Sequence, residues 1–551
     1  VLSVGWYALA AAACASITLI VATRRAAEYT VLTQRREAAR DERRPRWERW
    51  YLDVVAALLA LAGYGAALYI TQTGAVDAQV NLLISTPLAL ATPFFLVLAG
   101  LLCLLRFFPL LVRRLARVAS RRPAAAPMLA LAQMARAPRQ ALRLILLLGL
   151  ATSFAIFSLV FTATEPQQLA NVAAHLVGAD FSGSFFTTEA TWPTLPRRTA
   201  AYRALPGVIS ASLGYTDAVN LQGNTLTLLA VDSSTFAQTA LWTDQDSSQS
   251  LAALMAQLTS DQALARGGIP VIVDALAWQQ LHLAIGAQML LPLAGGGNTA
   301  LIVVAEVQHL PTVNDSLSGG TSDYTPPGGM LLDFQTLAQR AEGLGTNLSA
   351  NMVWLRTSDN PALLAGIRAA ISTGPLQLVN VLDRRLILAD FRADPLYLTL
   401  LGVLSMGVIA TLLLAGVGSL LASWLHARQR LTNFAVLRAL GMDPRQVADV
   451  LLWEQGIIYA AALALGVIFG AVLALTVVPA LVFTGAPNFG SALSSGEFDV
   501  LQHVLPVQMV LPPSLLAVLV ALVALCAGAL WLMARVVSQP TLSQTLRLNE
   551  D

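Results

Sequence analysis

The chain has 551 residues, of which 56% are hydrophobic and only 12% are charged, and its formal net charge at pH 7 is +2. This composition excludes an ordinary soluble globular protein and predicts that lipid surrounds much of the chain. No nucleic-acid partner is expected. All 34 basic residues are Arg. The absence of Lys excludes a P-loop nucleotide site, because the Lys of that motif reaches the phosphates.

Seven apolar stretches are long enough to cross a bilayer, which takes roughly 20 residues of helix. The predicted spans are residues 2–21, 52–70, 83–105, 142–162, 396–424, 451–483 and 515–533. All are expected to be helical, because lipid cannot satisfy open backbone groups. One polar block, residues 161–394, interrupts the series. The sequence therefore predicts an α-helical polytopic membrane protein of about seven transmembrane helices with one large domain outside the membrane.

The distribution of Arg predicts the orientation of the chain, because loops on the cytoplasmic side of a membrane collect basic residues. Most Arg residues fall in segments 24–49, 106–143 and 428–445 and near the C-terminus. These segments are expected in the cytoplasm, which places the C-terminus inside and residues 164–394 outside. The Arg-rich, Lys-free composition points to a GC-rich bacterial genome. The expected location is the inner or plasma membrane, since spans of outer-membrane proteins form barrels.

The first residue is Val1, which opens almost directly into an apolar stretch. This start predicts an N-terminal truncation. A signal peptide at residues 2–21 is the alternative, but its basic residues would follow the apolar stretch rather than precede it.

The polar block combines strand and helix patterns. Alternating apolar residues around Val271, Leu290 and Val303 predict strands, and the Gly cluster 295–297 between two such runs predicts a hairpin turn. Helical spacing predicts a helix over residues 361–372. The block is therefore expected to be an α+β domain.

Several aromatic residues of this block fit two interpretations. They are Trp192, Phe236, Trp242 and Trp278. Core packing is the commoner reason for such residues. A lipid-binding face is the alternative.

The segment after the fifth predicted span has the most specific pattern. Phe434, Leu437 and Leu440 recur at helical spacing, and Gly441 is placed to end that helix. Asp443 and Pro444 then suit the N-cap and first turn of a second short helix. Spacing alone fits either a docking site for a soluble partner or an amphipathic helix that lies at the membrane surface.

The motif Phe434-Ala-Val-Leu-Arg-Ala-Leu-Gly441, followed by Arg445-Gln-Val447 and Glu454, resembles the signature loop of FtsX-like permeases, the membrane subunits of the MacB/LolCDE/FtsX class of ABC transporters. The order of one span, a large outer domain and three grouped spans over residues 127–537 also resembles this family. Residues 126–143 resemble its cytoplasmic elbow helix.

The resemblance implies a permease that works with a separate cytoplasmic ABC ATPase dimer. Membrane lipid and a periplasmic or extracellular protein or lipoprotein are further expected partners. The implied ATPase-coupling loop comprises Phe434, Leu437, Arg438, Leu440, Gly441, Arg445, Gln446 and Glu454. Its apolar side chains would fill a groove on the ATPase, its Arg residues would pair with acidic groups, and Gly441 would set the turn. Glu454 would cap a helix or bridge to an Arg of the loop.

The resemblance also implies a division of the chain. Residues 1–22 would be the last helix of a truncated first module, 23–51 a cytoplasmic loop, 52–105 a linker pair of helices, 106–141 a basic segment with the elbow helix, 142–163 a transmembrane helix, 164–394 the extracytoplasmic domain, 395–537 the permease domain with coupling loop 425–451, and 538–551 a cytoplasmic tail.

In this family the ATPase moves the outer domain through stiff helices, a mechanism called mechanotransmission. A sixth helix over residues 444–483 would be roughly 60 Å long, about twice the hydrocarbon thickness. A stalk over 376–394, with Leu382, Leu386 and Phe391 apolar, would continue into the fifth span unless Pro395 breaks it.

Three function classes follow from these features. The first is ATP-driven export or extraction of a lipid, lipoprotein or peptide, and the second is a signal relay that regulates a cell-wall hydrolase or senses a peptide. The third, an ion-coupled carrier, is disfavoured because the predicted spans carry few ionisable groups. Asp53, His426 and Glu454 lie near cytoplasmic ends, where exposed or snorkelling side chains are expected. No catalytic constellation, metal motif or cofactor is expected.

Overall fold

The computed structural model describes residues 16, 17, 20, 24, 51–73, 78–119, 125–136, 138–185, 195–260, 266–293, 297–313, 328–393, 395–429, 442–482 and 505–538. Within them, a first group of helices leads into a domain built on a sheet, and a second group of long helices follows.

The first group has four helices. They are α1 (Leu52–Thr73), α2 (Ala78–Ala119), α3 (Ala125–Arg136) and α4 (Pro138–Val177). The predicted elbow helix over 126–143 is divided between two of them. The first part forms α3, and the rest already belongs to α4, which begins at Pro138 because proline suits the first position of a helix.

The sheet domain follows α4. Its strands are β1 (Phe181–Ser184), β2 (Val208–Leu221), β3 (Asn224–Val231), β4 (Ile269–Asp274), β5 (Gln288–Pro292), β6 (Asn298–Val307), β7 (Gly329–Asp333), β8 (Met352–Thr357) and β9 (Val379–Asp383). Its helices are α5 (Leu195–Arg203), α6 (Ser233–Thr239), α7 (Leu251–Leu258), α8 (Ala275–Gln280), α9 (Phe334–Gly343), α10 (Pro361–Ser372) and α11 (Arg384–Ala393).

The nine strands form one mixed sheet in the order β5-β6-β4-β7-β3-β2-β8-β1-β9. The pairs β3–β7 and β4–β6 are parallel, and the other neighbours are antiparallel. Every residue of β4 is buried, because both faces of this interior strand are covered by apolar side chains. The expected α+β architecture of this block is confirmed, including the hairpin of β5 and β6 and the helix over 361–372.

Three strands end in an Asp that caps the next helix. Asp232 follows β3, and Asp274 and Asp333 end β4 and β7. Each carboxylate accepts a hydrogen bond from a backbone N–H in the first turn of α6, α8 or α9. Such caps satisfy donors that a helix start leaves open. They fix where each strand turns into a helix.

The aromatic residues in the described part of this domain pack in its core. Phe236 and Trp354 are fully buried, and their rings meet edge to face with centroids 5.3 Å apart. Trp242 and Trp278 are partly buried against the two apolar clusters of the sheet. These contacts support the core-packing interpretation for three of the four predicted positions, and Trp192 lies outside the described residues.

Three long helices follow the sheet domain. They are α12 (Pro395–Gln429), α13 (Pro444–Leu481) and α14 (Pro513–Ser538). In the described residues, five helical segments are long and apolar enough to cross a membrane: Phe95–Val118, Ala141–Val177, Tyr397–Leu421, Arg445–Pro479 and Pro513–Arg535. The last four overlap predicted spans, although Ala141–Val177 continues well past the predicted end at residue 162.

The first three predicted spans agree less well. Most of 2–21 lies outside the described residues. Span 52–70 falls in α1, in which Val54–Gly63 forms a shorter apolar segment. Span 83–105 falls in α2, in which Phe95–Val118 is long and apolar enough to cross a membrane. Seven spans are therefore not confirmed.

The predicted stalk before the fifth span is a separate short helix, α11. It ends at Ala393, and α12 begins at Pro395. Ile387 and Phe391 are its buried residues, whereas Leu386 is 51% exposed. The first part of the predicted stalk was wrong, because Leu382 lies in strand β9, which pairs with β1.

Candidate coupling site and the helices that lead from it

Five of the eight predicted coupling-loop residues lie outside the described residues. They are Phe434, Leu437, Arg438, Leu440 and Gly441. The structure describes the other three, Arg445, Gln446 and Glu454, and all belong to α13. The predicted second short helix is therefore the start of this 38-residue helix and continues into the apolar span without a break.

The beginning of α13 agrees with the local sequence signals. Asp443 is the N-cap and Pro444 is in the first turn. The Gln446 side chain accepts a hydrogen bond from the Asp443 backbone N–H at 3.4 Å. Such a return contact satisfies an open donor at the helix start. Arg445 and Gln446 are exposed, so a partner has access to both.

The opposite side of this first segment is apolar. Val447 and Leu451 are buried against Met533 of α14, with Met442 packed beside them. The spacing of four residues places Val447 and Leu451 on one helical face. This contact fixes the end of α13 that carries Arg445 to the end of α14.

Glu454 lies nearly three turns into α13 and is only 3% exposed. The expectation of an exposed or snorkelling side chain was wrong, and a residue so far inside the helix cannot cap its start. Gln455 beside it is fully buried. Sequence reasoning missed Gln455, although two adjacent polar residues in an apolar run are a usable signal for an internal contact.

The middle of α13 packs closely on α4 through small residues. A Cβ atom on Gly466 would lie 2.5 Å from the Thr152 Cβ and 2.9 Å from the Gly149 carbonyl oxygen. A Cβ atom on Gly470 would lie 2.8 Å from the Ile156 Cβ. Small residues four apart let two helix backbones approach closely in a membrane. The pair therefore forms a tightly packed unit.

Helix α4 continues beyond this contact into the sheet domain. Its last turns pack against Ile387 and Phe391 of α11 and against Leu505. After α4 the chain passes through Gly178, whose φ of +70° suits glycine, and enters β1 at Phe181. One continuous helix thus joins the α13 contact to the base of the sheet.

Charged groups fix α11 to this base. Asp180 is 6% exposed and pairs with Arg384 at 2.7 Å, and it accepts the Thr357 backbone N–H at 2.9 Å. Arg385 pairs with Asp359 at 2.6 Å. This hydrogen bond with Arg385 lowers the pKa of the exposed Asp359 carboxyl. The entry to the domain and the exit helix are therefore held together by ion pairs.

No group of three or more His, Cys, Asp or Glu side chains is placed to hold a metal ion within the part of the chain that the structure describes. The geometry above is that of helix contacts and a helix start rather than of a reaction centre.

Comparison with protein families gives one match, to the C-terminal part of the chain. Residues 405–542 match the model of the FtsX-like permease C-terminal domain. The chain carries an FtsX-like permease domain. In the part of the chain that the structure describes, five helical segments are also long and apolar enough to cross a membrane. The matched part of the permease begins within α12, contains all of α13 and α14, and includes every predicted coupling-loop residue.

Solved structures give weaker similarities to the permease. The periplasmic region of MacB from Actinobacillus actinomycetemcomitans is 8% identical, with a TM-score of 0.25, over 39% of this chain and 94% of that chain. The extracellular domain of the noncanonic ABC-type transporter YknZ from Gram-positive bacteria is 11% identical, with a TM-score of 0.21, over 34% and 88%. A domain of a putative permease protein from Porphyromonas gingivalis is 14% identical, with a TM-score of 0.20, over 36% and 83%.

These TM-scores are too low to equate the folds. No curated protein matches the permease chain.

Proposed function

We propose that this permease couples ATP hydrolysis by a separate cytoplasmic ATPase dimer to movement of its sheet domain on the other side of the membrane. This movement would export or extract a lipid, lipoprotein or peptide. The observation that carries the proposal is the contact between α13, which begins beside the coupling loop, and α4, which runs into the sheet domain.

Helix lengths support this route. Helix α13 has 38 residues and α4 has 40, which correspond to roughly 57 and 60 Å at about 1.5 Å per residue. A hydrocarbon core is about 30 Å thick. Both helices are longer than this, so displacement at one end of the pair would reach the other end without passing through a flexible loop.

The charge pattern supports the assignment of sides. Segments 106–143 and 428–445 are rich in Arg, and they flank the ends of α4 and α13 that lie away from the sheet domain. Basic segments next to a span favour the cytoplasm. The coupling loop would then face a cytoplasmic ATPase, with the sheet domain outside the cell membrane.

A second function, a signal relay that regulates a cell-wall hydrolase or senses a peptide, is favoured by one feature of the sheet. Ile285 and Leu290, before and within edge strand β5, are 73% and 64% exposed. Exposed apolar residues at a strand edge suit contact with another protein. Both functions use the same cytoplasmic coupling.

Replacement of Leu437 by Asp is expected to abolish binding of the ATPase, because a charge would enter the apolar groove that this residue is proposed to fill. The measurement is affinity purification from detergent of the tagged permease co-expressed with the ABC ATPase encoded beside it. We expect retention of the ATPase to fall at least about tenfold, which corresponds to about 1.4 kcal/mol.

The matched control is Leu546→Asp, the same change in the predicted cytoplasmic tail. It should leave binding unchanged, and both variants should insert in the membrane in normal amounts. Equal retention of the ATPase by wild type and Leu437→Asp would refute the role of the coupling loop. Failure of wild type to bind any ATPase would refute the proposed function.

A further inference from the structure

The segment before α14 runs along α4 as an extended strap, defined here as residues 505–512. Leu505 is 3% exposed and its side chain packs between α4 and α11. Val507 packs against the apolar side of α4 that includes Phe161. The strap has no helix or strand of its own. Side-chain contacts with its neighbours therefore define its position.

Polar side chains of α4 bind the strap backbone at two levels. The Gln168 side chain donates to the Leu505 carbonyl oxygen at 3.0 Å. The Thr164 hydroxyl accepts the Val510 backbone N–H at 3.1 Å. Gln168 and Thr164 are buried, and buried polar groups are costly to separate from their partners. The strap and the part of α4 that carries Thr164 and Gln168 should therefore move together.

Gln245 connects this pair of elements to the sheet domain. Its side chain is 6% exposed. Its amide nitrogen donates to the Pro506 carbonyl oxygen at 2.8 Å, and its amide oxygen accepts from the Asn171 side chain at 3.3 Å. A single buried amide thus joins the strap, α4 and the loop that carries Gln245.

The loop that carries Gln245 is itself fixed to the sheet. Asp246 accepts the backbone N–H and the hydroxyl of Thr243 at 2.6 and 2.8 Å. The Asp246 carbonyl oxygen accepts the Gln308 backbone N–H at 2.8 Å, directly after β6. Displacement of Gln245 is therefore passed to the end of β6, which pairs with β4 and β5, rather than lost in a flexible loop.

We infer that the strap is a second mechanical link between the membrane helices and the sheet domain, and that Gln245 is the positioning residue through which the domain follows α14. The inference rests on the proposed function, in which ATP moves the membrane helices. In addition to the connection through α4, the strap provides a connection through α14. The far end of α14 packs against the beginning of α13 through Met533.

Gln245→Leu tests this link, since it removes both hydrogen bonds of the side chain. The measurement is hydrogen–deuterium exchange of the full permease–ATPase complex in lipid nanodiscs, without nucleotide and trapped with ATP and vanadate. In wild type, exchange in peptides 505–512 and 241–250 should change together. In Gln245→Leu the strap should keep its response, while the response of 241–250 falls at least about fivefold, the factor expected from losing even one of the two hydrogen bonds.

Gln249→Leu is the matched control, because Gln249 is exposed in the same loop, and it should respond like wild type. Gln245→Glu is a second variant, which provides the test if Gln245→Leu does not fold. Its carboxylate can accept from Asn171 but cannot donate to the Pro506 carbonyl oxygen, so the loop should again lose its response.

A wild-type response of 241–250 in both Gln245 variants would overturn the inference alone, because the loop would then follow α4 by itself. Absence of any nucleotide response in the wild-type strap, or of ATPase binding, would overturn the proposed function and the inference with it.

Discussion

Replacement of Gly466 by Leu is expected to destabilise the permease by about 3 kcal/mol, because a side chain at this position has no space. Even a Cβ atom there would lie 2.9 Å from the Gly149 carbonyl oxygen. That atom belongs to a helix backbone, so it cannot move aside as a flexible side chain can. Helices α4 and α13 would have to separate, which would also remove the contacts around Ile156.

The measurement is thermal unfolding of the detergent-solubilised permease, followed by fluorescence-detected size exclusion. Gly456→Leu is the matched control, since Gly456 is in the same helix and has nothing within 4 Å of its Cβ position. That variant should unfold at the wild-type temperature or slightly above it, because Leu favours helix more than Gly does. Equal unfolding temperatures for the Gly466 and Gly456 variants would contradict the close packing of α4 on α13.

Asp180→Ala is the second substitution with a large expected effect. The free energy of unfolding should fall by about 3 kcal/mol, because Arg384 would lose its partner in a partly buried position and the Thr357 N–H would lose its acceptor. The Arg384 side chain is 24% exposed, which limits the loss. The substitution should loosen the joint between α4 and α11 rather than the membrane helices.

Asp359→Ala removes the neighbouring ion pair with Arg385 and is the control for Asp180. The Asp359 side chain is 86% exposed, and an exposed pair contributes no more than about 1 kcal/mol. Thermal unfolding followed by Trp fluorescence suits both variants, since Trp354 is fully buried in the sheet domain. If Asp359→Ala lowers the free energy of unfolding as much as Asp180→Ala does, burial does not determine how much each ion pair stabilises the domain.

Local signals in the sequence predicted several elements well. The Asp443–Pro444 pair marked the start of α13, and helical spacing marked α10 at its observed bounds. Lipid forces long apolar stretches into helices, so the last four spans also followed from composition. In each case the information lies within one stretch of chain.

The order of the sheet could not be predicted in this way. Strands β3 and β7 pair in parallel although about a hundred residues separate them, and alternation of apolar residues does not specify a distant partner. The same holds for Gln245, whose partners come from α4 and from the strap. The strap has no periodic pattern, so nothing in its own sequence marked it as a contact.

The burial of Glu454 and Gln455 was not predicted either, although the adjacent polar pair was a local signal for it. Polar residues near the end of a span usually reach water, and that expectation failed here because the beginning of α13 is covered by neighbouring helices. Val447 and Leu451 are covered in the same way, since both are buried against α14.

The central claim is that a separate ATPase drives this permease, and the rate of ATP hydrolysis tests it most directly. The rate should be measured for the purified ATPase alone and with the permease in lipid nanodiscs. We expect wild-type permease to change the rate at least about tenfold, whereas with Leu437→Asp permease the rate should equal that of the isolated ATPase. A rate that is the same with and without the wild-type permease would refute coupling between the two proteins.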